Sequence, residues 1–152
     1  GDYQNIKTID SVGTSSWTDS SVKTGKTYYY KIKTVVKTQN GEQTSGFSNV
    51  KSAKAVPAKT TLKAKASDAK NVKLTWSKVK GASGYEIYRS NSKDGKYSKV
   101  KTISKGSTTS YKNGKLKKST TYYYKIRAYR KVNGKKVYGS YSSVVSVKTK
   151  AK

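Results

Sequence analysis

The sequence predicts an all-β fold in which two sheets pack against each other as a sandwich. Short segments alternate apolar with polar residues, or are rich in β-branched and aromatic types, which is typical of half-buried strands. Asp-Gly and Asn-Gly pairs lie between several of these segments, and both favour tight hairpin turns. No segment sustains the 3.6-residue apolar period of an amphipathic helix. These three observations favour a two-sheet sandwich.

Six strands are predicted in order along residues 57–152. The turn sequences SDAK, KDGK, KNGK and VNGK lie between them. Six or seven short strands in a segment of this length are typical of a β-sandwich domain. The predicted ranges are Thr61 to Ala66, Asn71 to Trp76, Gly84 to Ser90, Tyr97 to Ile103, Thr121 to Tyr129, and Ser143 to Thr149.

The chain repeats itself at a spacing of 94 residues. The sequence TYYYKI occurs at Thr27 to Ile32 and again at Thr121 to Ile126, and the N-terminal GDYQNIKTI aligns with GKYSKVKTI from Gly95. A repeat of this length matches a complete small domain rather than a solenoid unit. We therefore predict tandem modules, with the C-terminal half of one in residues 1–56 and a complete one in residues 57–152.

The composition argues against catalysis. The chain has no cysteine and no histidine, so it lacks thiolate metal ligands and the usual general base. None of the seven carboxylates pairs with another in a way that suggests acid/base work: Asp68 and Asp94 fall in turns, and Glu86 lies on the outward side of a strand. We predict that the protein is not an enzyme and has no catalytic residue, no metal site and no cofactor.

Lysine dominates the charge of the chain. There are 34 basic and 7 acidic residues, giving a net charge of +27, and only Arg89, Arg127 and Arg130 are arginines. Such a surface attracts polyanions diffusely, because the planar arginine fork that reads bases or phosphates is scarce. We expect anionic polymers as partners, without specific nucleic-acid recognition. No apolar run approaches the roughly 20 residues that span a bilayer, so no membrane insertion is expected.

Strand alternation explains the repeated tyrosines. Alternate residues of a strand face one side of its sheet. The first and third tyrosines of each TYYYKI are therefore predicted to point into the sandwich, and the middle one outward. The core residues predicted in this way are Tyr85, Ile87, Tyr122, Tyr124 and Ile126 in the complete module, and Tyr28, Tyr30 and Ile32 in the half module.

The segments VKLTWSKVKGASGYEIYRS, LKKSTTYYYKIRAY and SSVVSVKT together resemble a fibronectin type III domain, in particular the lysine-rich kind on surface proteins of Gram-positive bacteria. The resemblance implies an immunoglobulin-like β-sandwich with Trp76 and Leu116 in its core, and with the Tyr122 hydroxyl bonded to backbone near Leu116. Val22 and Tyr28 hold the positions of Leu116 and Tyr122 in the half module. KKST stands where the family often has a Pro-Gly turn, which leaves that turn's geometry open.

The outward face of the two central strands is the candidate binding surface. Tyr88, Tyr123, Lys125, Arg127 and Tyr129 would interleave aromatic and basic groups that stack on sugars or hold phosphates. Alternatively, such cross-strand pairs simply stabilise an exposed sheet. The lysine coat also has two explanations, which are a solubilising surface that resists aggregation and adhesion to an anionic wall polymer or acidic polysaccharide.

The sequence thus predicts a non-catalytic spacer and adhesion region that is extracellular, at the cell surface or in the cell wall of a bacterium. The short linker KAVPAKT around Pro57 favours a semi-rigid rod. Two other functions stay open. The half module exposes an apolar face and an open edge. Strands that precede residue 1 in a longer protein, residues 58–94 of this chain, or strands from other copies of the chain could complete it, and exchange between copies would build a filament. The chain could also be an accessory region that accompanies other domains of a secreted carbohydrate-active or wall-lytic enzyme.

Overall fold

The computed structural model describes residues 2–152, and Gly1, the predicted first residue of the half module, lies outside them. The described residues contain strands and no helix. No helix long and apolar enough to cross a membrane occurs within them. The strands are β1 (Thr27–Tyr30), β2 (Val35–Thr38), β3 (Gly41–Thr44), β4 (Lys51–Lys54), β5 (Leu62–Ala66), β6 (Val72–Trp76), β7 (Gly84–Ser90), β8 (Ser98–Ile103), β9 (Ser110–Asn113), β10 (Thr121–Val132), β11 (Lys135–Tyr138) and β12 (Val145–Lys148).

Strands β5 to β12 form two antiparallel sheets, which confirms the predicted β-sandwich. One sheet has the order β5-β6-β9, and the other has the order β11-β10-β7-β8, with β12 also paired to β10. Strands β11 and β12 lie along the same edge of the long β10, because β11 pairs with its C-terminal part and β12 with its N-terminal part. The outer surface of the larger sheet carries the candidate site.

Two strands of the sandwich were absent from the sequence prediction. Strand β9 is only four residues long, and β11 pairs with an extension of β10 beyond Tyr129. The extension is possible because Asn133 and Gly134 take positive φ values of 48° and 76°, which close a two-residue hairpin whose twist matches the strands. The tight-turn prediction is wrong in its geometry at Asp94-Gly95 and at Asn113-Gly114, since neither glycine has a positive φ. The second pair does not close a hairpin, because β9 and β10 belong to different sheets.

The core lies between the two sheets of residues 57–152. Every core residue predicted for this module is buried there, together with Leu62, Val72, Leu74, Val79 and Ala128. Burying a large apolar side chain contributes about 1.5–3 kcal/mol relative to leaving it exposed. These side chains therefore supply the main driving force that holds the two sheets together.

The half module repeats the backbone pairing of the complete one. Strand β1 pairs with β4 as β10 pairs with β12, so that Tyr28 faces Ala53 and Tyr122 faces Val147, each 94 residues apart. The amide of Ser48 donates to the Ile32 carbonyl at 2.8 Å, and the amide of Ser142 donates to the Ile126 carbonyl at 2.7 Å. The division into modules stays a prediction, but the local structure follows the sequence repeat.

The predicted core of the half module is wrong at Ile32. This side chain is 75% exposed, whereas Ile126 is 0% exposed at the equivalent position. Val22, Tyr28 and Tyr30 are only half-buried. The physical reason is that residues 2–56 form two isolated two-stranded pairs, β1-β4 and β2-β3, with no second sheet opposite them.

The tyrosine corner implied by the resemblance is present twice. The Lys117 amide donates to the Tyr122 hydroxyl at 2.9 Å, and the Lys23 amide donates to the Tyr28 hydroxyl at the same distance. A buried amide left without a partner costs about 1–3 kcal/mol. The turn before each corner has a positive φ, at Ser119 and at Gly25.

We expect Tyr122→Phe to lower the free energy of unfolding by about 1–2 kcal/mol, because it removes the acceptor for the Lys117 amide and leaves the ring in place. Tyr28→Phe is the matched control and should cost less than about 0.5 kcal/mol, since water can replace the acceptor at its exposed site. Urea unfolding, monitored by circular dichroism, measures the free energy of unfolding of both variants. Equal losses of stability in the two variants would contradict the assignment of Tyr122 as a buried tyrosine corner.

Candidate functional site

The candidate site is built on the outer face of β7 and β10. The strand register places Glu86 opposite Arg127 and Tyr88 opposite Lys125. Alternation along each strand keeps these four side chains on one face, while Tyr85, Ile87 and Ile126 point into the core. Two central strands of a sheet therefore hold the site on rigid backbone.

A buried carboxylate organises this face. Glu86 is 1% exposed although it lies on the outward side of its strand. Its Oε2 accepts hydrogen bonds from Arg127 Nη2 at 2.9 Å and from the Tyr88 hydroxyl at 2.8 Å. Its Oε1 accepts from Lys136 Nζ at 3.0 Å, and more distantly from Lys99 and Tyr138. The long side chains of these partners cover the carboxylate, and their hydrogen bonds to it hold the partners in position.

The surrounding donors keep Glu86 ionised. Burial raises the pKa of Glu86, but hydrogen bonds from Lys136, Arg127 and Tyr88 outweigh burial and hold this pKa at about 2, below its usual value of 4.5. Burial also raises the pKa of Tyr88, and the hydrogen bond to Glu86 adds to this effect. At neutral pH the cluster therefore holds an anion, a neutral phenol and several cations.

Aromatic rings stack against the cations around this carboxylate. The Arg127 guanidinium lies 3.7 Å from the Tyr138 ring centroid, and Lys125 Nζ lies between the rings of Tyr97 and Tyr141, at 4.3 and 4.5 Å. Each such contact contributes about 0.5–1 kcal/mol at exposed positions. We use the name aromatic-cation face for Tyr88, Tyr97, Lys125, Arg127, Tyr138 and Tyr141.

The same arrangement occurs in the half module. Lys31 Nζ lies 4.2 Å from the Tyr3 ring centroid and 3.8 Å from that of Phe47, and these residues are 94 positions before Lys125, Tyr97 and Tyr141. Lys33 lies 5.6 Å from the Phe47 ring, at the position of Arg127. A lysine between two aromatic rings is therefore built twice in one chain.

Tyr129 is not part of the exposed surface, so its prediction as a binding residue is wrong. It is 1% exposed, and its hydroxyl donates to the Ile103 carbonyl at 3.3 Å. The strand register places Gly84 opposite Tyr129, and the absence of a side chain there lets the ring lie flat across the sheet. Lys136 covers the ring from outside, at 4.4 Å.

The other four predicted binding residues lie on the outer face. Tyr88, Lys125 and Arg127 come together as described, and half-buried Tyr123 lies two residues before Lys125 on β10, opposite Ser90. The prediction missed Tyr97, Tyr138 and Tyr141, which reach this face from neighbouring strands and loops. Only the 94-residue match of Tyr3 and Phe47 to Tyr97 and Tyr141 could have signalled two of them.

The aromatic-cation face suits binding rather than bond cleavage. It presents flat apolar rings beside ammonium and guanidinium groups, which together can stack on sugar rings and hold anionic substituents. Within residues 2–152 no three of the side chains that ligate metals cluster together. Glu86 is the only buried carboxylate of the described residues, and its low pKa makes it a poor proton donor.

No family model and no curated protein matches the sequence. The structure is similar to a Fn3-like protein from Clostridium thermocellum, with 29% identity, a TM-score of 0.50, and coverage of 62% of this chain and 92% of that chain. It is also similar to the sixth fibronectin type III domain of human fibronectin type III domain containing protein 3, with 18% identity, a TM-score of 0.54, and coverage of 66% and 92%. The fold is that of a fibronectin type III domain.

A third similar structure contains several such modules. The FN1–FN3 domains of chicken CNTN1 align with 87% of this chain and 46% of their own length, at 22% identity and a TM-score of 0.54. Fibronectin type III domains are commonly non-catalytic structural or adhesion modules. The aromatic-cation face therefore lies on a fold that commonly serves structural or adhesive roles.

Proposed function

We propose that this chain is a non-catalytic spacer and adhesion region of a bacterial cell-surface or secreted protein, and that it holds anionic wall polymers or acidic polysaccharides. The observation that carries the proposal is the lysine held between two aromatic rings at both Lys31 and Lys125. Core packing cannot account for the repeat, because these side chains lie on the outer face of the sheets. A repeated polymer presents its groups at intervals, and a repeated site can bind it at two points.

The charge of the protein supports an anionic ligand. Residues 57–152 hold 26 basic and 3 acidic residues, and Glu86, one of the three, is already neutralised by Arg127, Lys136 and Lys99. Lysine ammonium groups act as strongly hydrated point charges, which suits diffuse and salt-sensitive attraction to a polymer. The aromatic rings add contact area to which sugars can stack.

A contact between the two parts of the chain supports the spacer role. Gly25, with φ of +90°, lies against the hairpin of β10 and β11, where a Cβ placed on it would fall 3.5 Å from Val137 Cγ2 and 3.6 Å from Val132 Cγ2. Pro57 in the linker is buried. A short linker that is held in this way gives a stiff rather than a freely jointed connection.

The bacterial source belongs to this proposal. It is supported by the resemblance to the lysine-rich modules of Gram-positive surface proteins and by the likeness to the Fn3-like protein from Clostridium thermocellum at 29% identity.

Assembly into an extracellular filament is a second candidate function. It is favoured by the thirteen exposed large apolar side chains of the described residues, of which twelve lie before Pro57. An exposed apolar surface of this extent marks an interaction site.

Binding to an immobilised poly(glycerol phosphate) column tests the adhesion role. We expect retention at 50 mM NaCl that collapses at 500 mM, because phosphate attraction is screened by salt. Replacing both sandwiched lysines, in Lys31→Gln/Lys125→Gln, should weaken binding about tenfold, which is roughly 0.7 kcal/mol for each site. The charge-matched control Lys63→Gln/Lys73→Gln alters exposed lysines of the β5-β6-β9 sheet and should weaken binding less than threefold.

Three results would count against this proposal. Equal losses in the two double variants would show that the charge acts diffusely and that the aromatic-cation face is not the site. Retention that does not respond to salt would indicate uncharged contacts with the glycerol units rather than phosphate attraction. Absence of retention at 50 mM NaCl would leave only the spacer role.

A further inference from the structure

A basic pocket opens at one end of the complete module, where β7 ends and β10 begins. Three of the side chains that line it are cations, and none of them is acidic. The pocket has a volume of about 640 Å³. Small-molecule sites usually measure about 300–1,000 Å³, so a monosaccharide fits this space. We define the basic pocket by Arg89, Asn91, Lys115, Lys117, Ser119 and Thr121.

Arg89 is held in place by both sheets of the sandwich. Alternation along β7 puts its side chain on the inward side, with Tyr85 and Ile87. Its Nη1 donates to Asn113 Oδ1 at 3.2 Å, and Asn113 is a buried residue of β9 in the opposite sheet. Its guanidinium also lies 5.1 Å from the Tyr122 ring centroid. The guanidinium is therefore positioned before a ligand arrives, which lowers the entropic cost of binding.

Arg89 is a half-buried cation without a carboxylate partner. Every salt bridge within residues 2–152 involves Glu86 or Asp10, and Arg89 takes part in none of them. A guanidinium has five N–H donors in a planar fork, and the bond to Asn113 leaves the others for a ligand. Such a fork binds an oxyanion through two parallel hydrogen bonds.

The loop before β10 supplies the other polar groups of the pocket. Lys115 and Lys117 are exposed there. Ser119 has a positive φ of 51°, which is uncommon for a residue other than glycine or asparagine. The equivalent residue of the half module is Gly25, which also has a positive φ and brings no side chain. The turn itself therefore does not require a serine, and the serine places a hydroxyl group at the pocket.

The charge of the pocket favours a doubly charged ligand. Asp68 is the acidic residue of the neighbouring turn, but its carboxylate accepts from the Lys70 amide and the Asn71 side chain, each at 2.8 Å, and does not line the pocket. Three cations thus face the pocket without a counter-ion from its lining. A phosphate monoester carries a charge of about −1.5 to −2 at pH 7, whereas a sulfate ester or a carboxylate carries only one.

We infer that the basic pocket binds a phosphate monoester carried by a polyol the size of a monosaccharide. The Arg89 fork holds the phosphate, and Lys115 and Lys117 balance its second charge. The hydroxyl groups of Ser119 and Thr121 bind hydroxyls of the polyol. The inference does not rest on the polymer-binding role, because none of these residues belongs to the aromatic-cation face.

Titration of the nitrogen-15-labelled intact chain with glucose 6-phosphate, at pH 7.5 and 150 mM NaCl, tests this inference by nuclear magnetic resonance. We expect saturable shifts of the backbone amide signals of residues 115–121. Lys115→Gln/Lys117→Gln changes exposed side chains and should weaken binding about tenfold. Arg89→Lys should weaken it about fivefold, because lysine keeps the charge and lacks the fork. The spectrum of each variant without ligand shows that it is folded.

Two related ligands test the chemistry of the pocket. Glucose has no charge and should give no saturable shifts. Glucose 6-sulfate should bind about fivefold more weakly than the phosphate, because it carries a single charge. Lowering the pH to 5.0 protonates the phosphate ester, whose second pKa is about 6, and should weaken its binding about fivefold. The sulfate should show no such change, and the chain has no histidine that would titrate in this range.

Two double variants serve as controls. Lys63→Gln/Lys73→Gln makes the same charge change at exposed lysines of the β5-β6-β9 sheet and should weaken binding less than about twofold. Lys31→Gln/Lys125→Gln should bind glucose 6-phosphate like the original protein, whether or not the polymer column retains the original protein. Shifts that do not saturate, losses in either control equal to that of the pocket variant, or equal binding of the sulfate would each overturn the inference.

Discussion

Trp76→Ala should lower the free energy of unfolding by about 3–5 kcal/mol, the largest stability effect expected in this chain. Trp76 is 6% exposed, and its ring lies 5.4 Å from that of Tyr85, at 59°. Removing the indole leaves a cavity between the two sheets, which rigid neighbouring strands can fill only in part. Since domains are stable by only about 5–15 kcal/mol, this variant should be close to unfolding at room temperature.

Two further variants make the Trp76 result interpretable. Trp17 is the second tryptophan of the chain and is 45% exposed, so Trp17→Ala should cost less than about 1 kcal/mol. Trp76→Phe keeps an aromatic ring and removes an indole Nε1 that is buried without a hydrogen-bond partner in the described residues, so it should recover most of the loss. Urea unfolding by far-ultraviolet circular dichroism measures all three. A loss below about 1 kcal/mol for Trp76→Ala would contradict its place in the core.

The inward pattern of the complete module was predictable because it depends on strand alternation alone. Period two along β7 and β10 assigned Tyr85, Ile87, Tyr124 and Ile126 to the core, and all four are buried. This local rule does not depend on which strands are neighbours. Where a second sheet covers the strand, alternation is sufficient to predict which of its residues lie in the core.

The outer face was only partly predictable, because its burial depends on cross-strand register. Tyr129 is covered since Gly84 lies opposite it, and Glu86 is covered since Arg127 lies opposite it and Lys136 reaches over from β11. Register between strands that are distant in sequence is a tertiary property, and one sequence does not reveal it. Strand alternation predicts which side of the sheet a residue faces, but it does not predict how exposed to solvent that side is.

The half module also shows that strand alternation alone does not determine burial. Ile32 has the local sequence of a core residue and the backbone hydrogen bonds of Ile126, but it is exposed because the covering strands are absent from residues 2–56. Equivalent sequences in the two modules form the same local structure. Burial needs the partner strands as well, and for this reason the inward side of the half module and the core of the complete module differ in exposure despite their equivalent residues.

Stability should fall steeply as the pH decreases from about 5 to 2, and Glu86 should be the main cause. Its pKa is about 2 in the folded protein and about 4.5 unfolded, so its ionised form favours folding. Because the folded-state pKa is the lower one, the stabilisation is complete above pH 5 and is lost as the pH falls towards 2. Each pKa unit corresponds to about 1.4 kcal/mol, so the loss amounts to about 3 kcal/mol.

Glu86→Gln isolates this contribution, because glutamine keeps the shape of the side chain and has no charge to titrate. At pH 7 the variant should be less stable than the original protein by about 3 kcal/mol, since Arg127 and Lys136 lose their buried counter-ion. Near pH 2 the difference should shrink to less than about 1 kcal/mol, because Glu86 is about half protonated in the folded protein at that pH and its charge then contributes little to stability. Thermal unfolding of both proteins from pH 2 to 7 measures the two curves.

Asp68→Asn serves as the control for the pH series, because hydrogen bonds from the Lys70 amide and the Asn71 side chain lower the pKa of Asp68 at an exposed turn. It should leave most of the pH dependence in place. A Glu86→Gln curve parallel to that of the original protein would show that Glu86 does not carry the acid sensitivity. The cations around it would then hold their positions through ring stacking, and the aromatic-cation face would be ordered by Tyr138 and Tyr141 instead of by a buried carboxylate.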